Sequence, residues 1–422
     1  MKKVRLLLVT LYYGPDVASN AVMLTALAQE LSRRGHDVSV VSSFPHYYET
    51  TFPEEYRGKL WTRGTEDGVL VHRTWVFPAP PAHKLRRVVN YVSFDMLMFL
   101  SGLTMPGRYD VVMAVSPPLT LGLSGYVLRL LKGRSFVYNI QDVWPDNLIS
   151  SGLIKPGVVA NLLRVLERLV YNRATRLTAL CDEIKADLAH KKAPADKIAV
   201  IPNYADCETI QPLPRQNPFR ARLGLRDEFV VMYAGTLAYR YGLEILLEAA
   251  GEFLDRHDIR FVIVGHGPVK EELQARANTM GLKHLTFVPF QPASELPNLL
   301  ATADVSVVPC KRNTATVSVP SKIYSIMASA RPMVAMAEPG TGTRGIIERA
   351  GCGICIDPED TGQLVNALRT LYEDRELCAR LGTQGREYVV RENSFSTVAD
   401  RYERLLLEVA EERHQSKNRC AI

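Results

Sequence analysis

FVVMYAGTLAYRYGLEILLEAA, Phe229 to Ala250, reads as a strand, a tight turn and a helix. The run FVVMY is apolar and β-branched or aromatic, as a buried strand requires. Small and polar residues around Gly235 make the turn, and LEILLEAA then carries apolar side chains at helical spacing. This order is half of a βαβ unit, whose returning strand runs parallel to the first. The return follows as IRFVIVG, and the rhythm continues through a helix to Met280, LTFVPF, a short helix, DVSVVP, a helix after Pro320, PMVAMA and GICI.

The same rhythm fills the preceding half. VRLLLVT leads to a helix from about Ala21 to Arg34, then to DVSVVSS, VLVHRTWVF, YDVVMAV, SFVYNI, RLTAL and IAVIPN. The expected fold class is therefore α/β, with two doubly wound parallel sheets facing a cleft at the carboxyl ends of their strands, where such sheets bind ligands. Proline-rich QPLPRQNPF, after Asn203, reads as the linker. The expected domains are residues 1–208 and 209–394. Residues 395–422 form a last helix, about Phe395 to Glu411, and a polar tail. Tyr402, Leu405, Leu406 and Val409 share one face of that helix, which is expected to pack back on the first domain. A length of 422 residues suits two cores.

Composition excludes several classes. At 47% apolar and 23% charged, without low-complexity tracts or short repeats, the chain is globular. The net charge of +6 favours anionic partners, but no basic run interleaved with aromatics marks a nucleic-acid surface. The first strand begins at Val4, with no room ahead for a signal peptide, and no 18 consecutive residues are apolar, so a cytoplasmic location is expected. Seven scattered cysteines fit a reducing compartment, and Cys352 and Cys355 form a lone CxxC that reads as chance within a strand. The nine histidines show no metal-ligand spacing.

A cation stands where helices avoid one. In VSVPSKIYSIMASARP, Val317 to Pro332, the proline and serines signal a helix start, and Ile323, Ile326, Met327 and Ala330 form an apolar stripe. Lys322 then lies in the first turn, where the helix dipole costs a cation about 0.3 to 1 kcal/mol unless an anion intervenes. Three glycine-bearing turns after strands, TLYYGPDVASNA, YAGTLAYRYGLE and IVGHGPVKEE, could bring backbone amides close to an anion. Together with Arg240 and Lys322 they point to a diphosphate. A dinucleotide oxidoreductase fits poorly, because Lys270 occupies the third glycine position of GHGPVK and LTFVPFQP ends without an acidic residue for a ribose. GxxxxGK[ST] is absent, and so is Asp-x-Asp, so a bound diphosphate would be neutralised by Arg240, Lys322 and backbone amides without a metal.

The order YAGTLAYRYGLE, VGHGP, LPNLLATADVSVVP and VPSKIYSIMASARPMVA, followed by AGCGICIDPED, resembles the retaining GT-B glycosyltransferases of family four. DVWPDNL in the first half with VPSK in the second resembles the bacterial L-fucosamine transferase (WbuB-like) subgroup, which builds surface polysaccharides such as O-antigen and exopolysaccharide. The resemblance implies two Rossmann-like domains and transfer of a sugar, with retained configuration, from a nucleotide diphosphate donor, UDP-linked, with no cofactor. The donor lies mainly on the second domain, and a lipid-linked saccharide acceptor, polyprenyl-diphosphate-bound, on the first. Arg240 and Lys322 inherit the basic pair that holds the diphosphate. Gly14, Gly235, Thr236, Gly265, Pro320, Ser321, Tyr324 and Ser325 complete the expected donor contacts, with Phe290 and Gln291 facing the base.

Two family features are missing. The glutamates that flank this helix start correspond to Val317 and Ser325, which leaves Glu338 or Glu348 as substitutes for holding the ribose. The histidine beside the sugar corresponds to Gln141, which cannot act as a base. Asp142 is the remaining candidate catalytic carboxylate, and Gln141, Asp146 and His46 are candidate acceptor contacts; each also has an ordinary structural reading as a cap or loop residue, as do Asp16, Ser19 and Asn20. In HKLRRVVNYVSFDMLMFLSGL, the basic His83, Lys84, Arg86 and Arg87 precede an apolar helix-length run broken by Asn90, Ser93, Asp95 and Ser101. That pattern suits a helix lying on the anionic inner face of a membrane, over Lys84 to Leu103, or a packed helix with a basic start. Two other functions share this scaffold: a nucleotide-sugar binding or regulatory protein, and a GT-B epimerase that needs no acceptor.

Overall fold

A computed structural model describes residues 3–47, 51–79, 84–150, 154–312 and 319–419. Val317 and His83 lie outside the described residues. The chain divides into two units, Met1–Pro202 with Val398–Ile422, and Asn203–Thr397.

The first unit is built on β1 (Arg5–Val9), β2 (Asp37–Ser43), β3 (Trp61–Glu66), β4 (Val69–Thr74), β5 (Tyr109–Val115), β6 (Gly133–Asn139), β7 (Arg176–Ala179) and β8 (Ile198–Val200). Their order across the sheet is β3-β4-β2-β1-β5-β6-β7-β8. All neighbours are parallel except β3, which runs antiparallel to β4. That edge strand went unread in the sequence because its residues are polar and solvent-facing. It is closed by Asp67 and Gly68, both at positive φ, as a two-residue hairpin turn requires. The helices Lys84–Thr104, Thr120–Lys132 and Val158–Arg173 pack side by side in that order, as crossovers of one hand would place them.

The last helix runs Phe395–Arg419, beyond the expected end at Glu411. Tyr402, Leu405, Leu406 and Val409 are all buried. Within unit 1, Asn139 Nδ2 donates to Tyr402 Oη at 2.6 Å, and Glu403 takes hydrogen bonds from Arg34 at 2.6 Å and from His36 Nε2 at 2.9 Å.

Unit 2 holds β9 (Phe229–Ala234), β10 (Ile259–Val264), β11 (Leu285–Val288), β12 (Val305–Val308), β13 (Met333–Met336) and β14 (Gly353–Ile356), in the order β11-β10-β9-β12-β13-β14 and parallel throughout. The stretch expected to be a linker is fastened to this unit. Asn217 accepts from the backbone N–H of Phe219 at 2.9 Å and of Arg220 at 3.1 Å, capping the helix Pro218–Arg222. Arg220 is fully buried, and its guanidinium donates to the carbonyls of Arg226 at 2.8 Å and Thr302 at 2.9 Å. Asn217→Ala should therefore destabilise unit 2 by about 1 to 2 kcal/mol in urea unfolding, the usual cost of a lost N-cap. A smaller loss would mean that the cap bonds are replaced by water.

Candidate functional site

In a parallel sheet the turns that follow the strands share one edge, and in unit 2 that edge gathers the expected anion ligands. Gly235 follows β9 with φ at +153°, and Gly265 follows β10 at +155°. The two turns stack: a Cβ on Gly265 would collide with the Gly235 carbonyl oxygen, and one on Gly267 with the Leu237 carbonyl oxygen. A Cβ on Gly235 would collide with the Lys322 ammonium, so the absence of a side chain there is what lets the cation lie against the turn.

Lys322 opens the helix Lys322–Ala328. Part of the residue reaches solvent, yet its Nζ lies 4.1 Å from the centroid of the Tyr233 ring and 5.2 Å from that of Tyr241. The guanidinium of the exposed Arg240 stacks on the same Tyr241 ring at 4.7 Å, and its NH2 group donates to Tyr241 Oη at 2.5 Å. Tyr233 is itself buried and fixed, donating to the Thr236 carbonyl at 2.7 Å. Among the described residues no carboxylate forms an ion pair with Lys322. Ring stacking returns about 0.5 to 2 kcal/mol, less than the several kcal/mol that desolvating an ammonium costs. Burial, helped by the charge of Arg240, accordingly pulls the Lys322 ammonium down to about 7.

The neighbouring residues fill out the site. Lys311 follows β12, its backbone N–H donates to the Arg240 carbonyl at 3.3 Å, and its stem passes Gly242, whose φ of +60° ends the Tyr239–Tyr241 turn. Pro320, Ser321 and Ser325 are half-buried around the start of the Lys322 helix, and Tyr324 is fully buried beneath it. After β11, Phe290 leaves 69% of its surface exposed, an uncovered ring, and Gln291 Nε2 donates to the Pro289 carbonyl at 2.9 Å. Glu338 follows β13 on this same edge, whereas the Glu348 carboxylate is paired with Arg344 at 2.8 Å. Tyr233, Tyr241, Lys311 and Gly267 were not singled out in the sequence, although both tyrosines stand within the glycine-turn stretch that was.

The remaining expected residues belong to unit 1. The Gly14 N–H donates to Thr25 Oγ1 at 2.7 Å and its carbonyl accepts from Arg73, so that amide is not available to a phosphate. His46 is 1% exposed; its Nδ1 is 2.8 Å from the Phe44 carbonyl and its Nε2 2.8 Å from Asn90 Nδ2. The neutral tautomer with the proton on Nδ1 satisfies both, which leaves neither nitrogen for an acceptor. Asp146 is bound to Lys191 at 2.5 Å and lies 3.7 Å from Arg164, an ion-pair role in place of the expected acceptor contact. Gln141 Nε2 donates to Asn139 Oδ1 at 2.9 Å, while the backbone of Gln141 and Asp142 is gathered on the Ser116 hydroxyl. The Asp142 side chain is half-buried and its charge reaches Tyr91. Asp16 accepts from the backbone N–H of His46 at 3.1 Å and of Tyr47 at 3.3 Å, joining two loops instead of capping a helix.

The two halves match two sequence families, described as Glycosyl transferase 4-like domain over residues 21–204 and Glycosyl transferases group 1 over residues 216–388. Over 92% of its length the chain is 28% identical to the putative colanic acid biosynthesis glycosyl transferase WcaI of Escherichia coli, 96% of which is covered. Among solved structures, sucrose-phosphate synthase from Thermosynechococcus elongatus superposes with a TM-score of 0.76 at 16% identity, covering 96% of this chain and 99% of that one. Anabaena Alr3699/HepE, solved in complex with UDP, superposes with a TM-score of 0.72 at 17% identity, covering 96% and 100%.

Proposed function

The chain belongs to the group 1 glycosyltransferases of GT-B architecture, and from that premise we propose that it transfers a sugar, with retained configuration and without a metal ion, from a UDP-sugar to a lipid-linked saccharide. The observation that carries this reading is the Lys322 ammonium, desolvated at a glycine-turn edge with Arg240 beside it and no carboxylate to balance it among the described residues. A diphosphate supplies the missing charge. The anomeric C–O bond to the phosphate breaks, the anomeric carbon bonds to the acceptor oxygen, and the acceptor proton passes to the departing phosphate oxygen on the same face. Negative charge on the diphosphate grows along that path, so cations fixed beforehand stabilise the transition state more than the ground state.

Phe290 offers its exposed ring to the base, and Glu338, on the same sheet edge, is the carboxylate assigned to the ribose hydroxyls in place of Ser325. Glu338→Gln should weaken UDP binding about tenfold with little change in ligand-free melting, as expected for one lost charged hydrogen bond. Unchanged affinity would remove Glu338 from the site.

The likeness to WcaI supports a polysaccharide product, and the WbuB-like subgroup is the finer assignment within it. No helix among the described residues is long and apolar enough to cross a membrane. The exposed apolar residues Val88, Val92, Met96 and Leu100, at helical spacing on Lys84–Thr104, support peripheral attachment to the cytoplasmic face instead. The test is thermal-shift screening against UDP, GDP, ADP and their sugars, followed by donor hydrolysis with EDTA present. A shift with UDP and slow release of sugar in EDTA are expected. A protein that binds UDP-sugar without ever releasing sugar, or that requires a divalent ion, contradicts the reading.

A further inference from the structure

Unit 1 holds a second cation that burial desolvates, here among tyrosines that act on it electrostatically. Arg87 lies in the first turn of the helix Lys84–Thr104, half-buried, with its Nε donating to Tyr91 Oη at 2.5 Å and its guanidinium carbon 5.5 Å from the centre of that ring. Among the described residues it forms no ion pair with a carboxylate. Aromatic rings surround it. Tyr91 packs edge-on against Trp144 at 5.6 Å, and Tyr12, whose electrostatics Arg87 reaches, packs edge-on against Tyr47 at 5.1 Å. Burial pushes the hydroxyls of Tyr12 and Tyr91 above their ordinary range, so at neutral pH both are uncharged and neither balances the guanidinium.

The cluster lies where parallel sheets of this kind commonly bind ligands. Tyr12 follows β1, Tyr47 follows β2, and Asp142 and Trp144 follow β6, so the cluster stands at the carboxyl edge of the parallel sheet. Asp142 faces it closely enough to act on Tyr91. Arg87 presents a fork of donors suited to phosphate oxygens, and flat aromatic faces suit the apolar face of a sugar ring. The same helix turns Val88, Val92, Met96 and Leu100 to solvent, with exposures of 54% to 66%. One helix thus carries an anion-binding group inward and an apolar stripe outward, the two needs of an amphiphile with a phosphate head.

We propose that Arg87, with Tyr91 and Trp144, binds the phosphate groups of the lipid-linked acceptor and so positions its sugar hydroxyl beside Asp142. This rests on the transfer reading above, but its test does not. Farnesyl diphosphate serves as the probe, with farnesol and inorganic pyrophosphate as controls, on the full chain. Lys322→Ala should retain farnesyl diphosphate binding, Arg87→Gln should bind it at least about tenfold more weakly than the wild type, and Arg87→Lys should fall between the two, because an ammonium keeps the charge but not the fork. UDP should still raise the melting point of Arg87→Gln. In Lys322→Ala, where the donor site is disabled, pyrophosphate should displace the probe.

Wild-type affinity in Arg87→Gln overturns the proposal, as does loss of probe binding in Lys322→Ala. Should Arg87→Gln fail to fold, farnesol binding Lys322→Ala as tightly as the diphosphate does overturns it too, because the anion would then contribute nothing. Failure of donor turnover with these results intact would sink the transfer reading and leave the phosphate site standing.

Discussion

Lys322→Met is expected to lower kcat/KM for sugar transfer about a thousandfold and to abolish the melting shift produced by UDP, while the ligand-free protein melts no lower than the wild type. The first effect follows from removing a fixed charge that meets charge developing on the leaving diphosphate, a role worth about 100- to 1000-fold by itself. The second follows from the uncompensated state of the cation. A buried charge without a partner opposes folding, and replacing it by an apolar chain of similar length relieves that cost. A structural lysine behaves the other way round: its loss lowers stability and leaves nucleotide binding in place. Transfer assays and melting curves of the one variant, with and without UDP, separate the two cases.

Gly265→Ala should destabilise unit 2 by about 2 to 5 kcal/mol. Part is the strain of an L-residue at φ +155°, about 1 to 3 kcal/mol. The rest is the collision of the new Cβ with the Gly235 carbonyl, a backbone atom that yields only if the two turns separate. Gly281→Ala is the control: its φ is also positive, +69°, but nothing lies within 4 Å of the added carbon, so only the strain remains. The difference between the variants in urea unfolding reports the collision together with the extra strain of φ +155° over φ +69°. Because Gly235 also abuts Lys322, the separated turns of Gly265→Ala should bind UDP more weakly even where the protein is folded. Equal stability of the two variants would mean that the turns are not stacked.

The βαβ rhythm was legible because buried parallel strands are nearly continuous apolar runs, such as FVVMYA and RFVIV, and these survive any loop chemistry around them. β3 was not, since WTRGTE is polar on an exposed edge, although the Asp67-Gly68 pair after it is the ordinary sign of a hairpin. QPLPRQNPF reads as the linker on its proline density, but its attachment is not legible there, because it depends on the adjacent Arg220 and contacts dispersed through the sequence, to Arg226, Thr302 and Glu228. In the donor site the lysine and the glycine turns were readable as chemistry in the wrong electrostatic place. The stacking of Arg240 and Lys322 on Tyr241 was not, because it depends on how one turn folds against a helix some eighty residues away. Gly14, His46 and Asp146 are residue types that suit ligands, yet here they hold loops and helices together, while Arg87 reads in the sequence only as part of a basic flank.

The pH dependence of donor binding bears most directly on the paired cations. Lys322 in the free protein titrates near 7, below the ordinary lysine value of 10.5, so between those values the unfolded chain holds more protons and the ligand-free fold gains stability as pH rises. A bound diphosphate reverses the preference by favouring the ammonium, and the diester diphosphate of a UDP-sugar has no titration of its own in that range. Calorimetry of UDP-sugar binding at pH 8, in buffers of different ionisation enthalpy, should therefore show uptake of most of a proton, with affinity falling toward tenfold per pH unit above that point. Both signals should vanish in Lys322→Met. Binding that takes up no proton and is as tight in Lys322→Met as in the wild type would contradict the account.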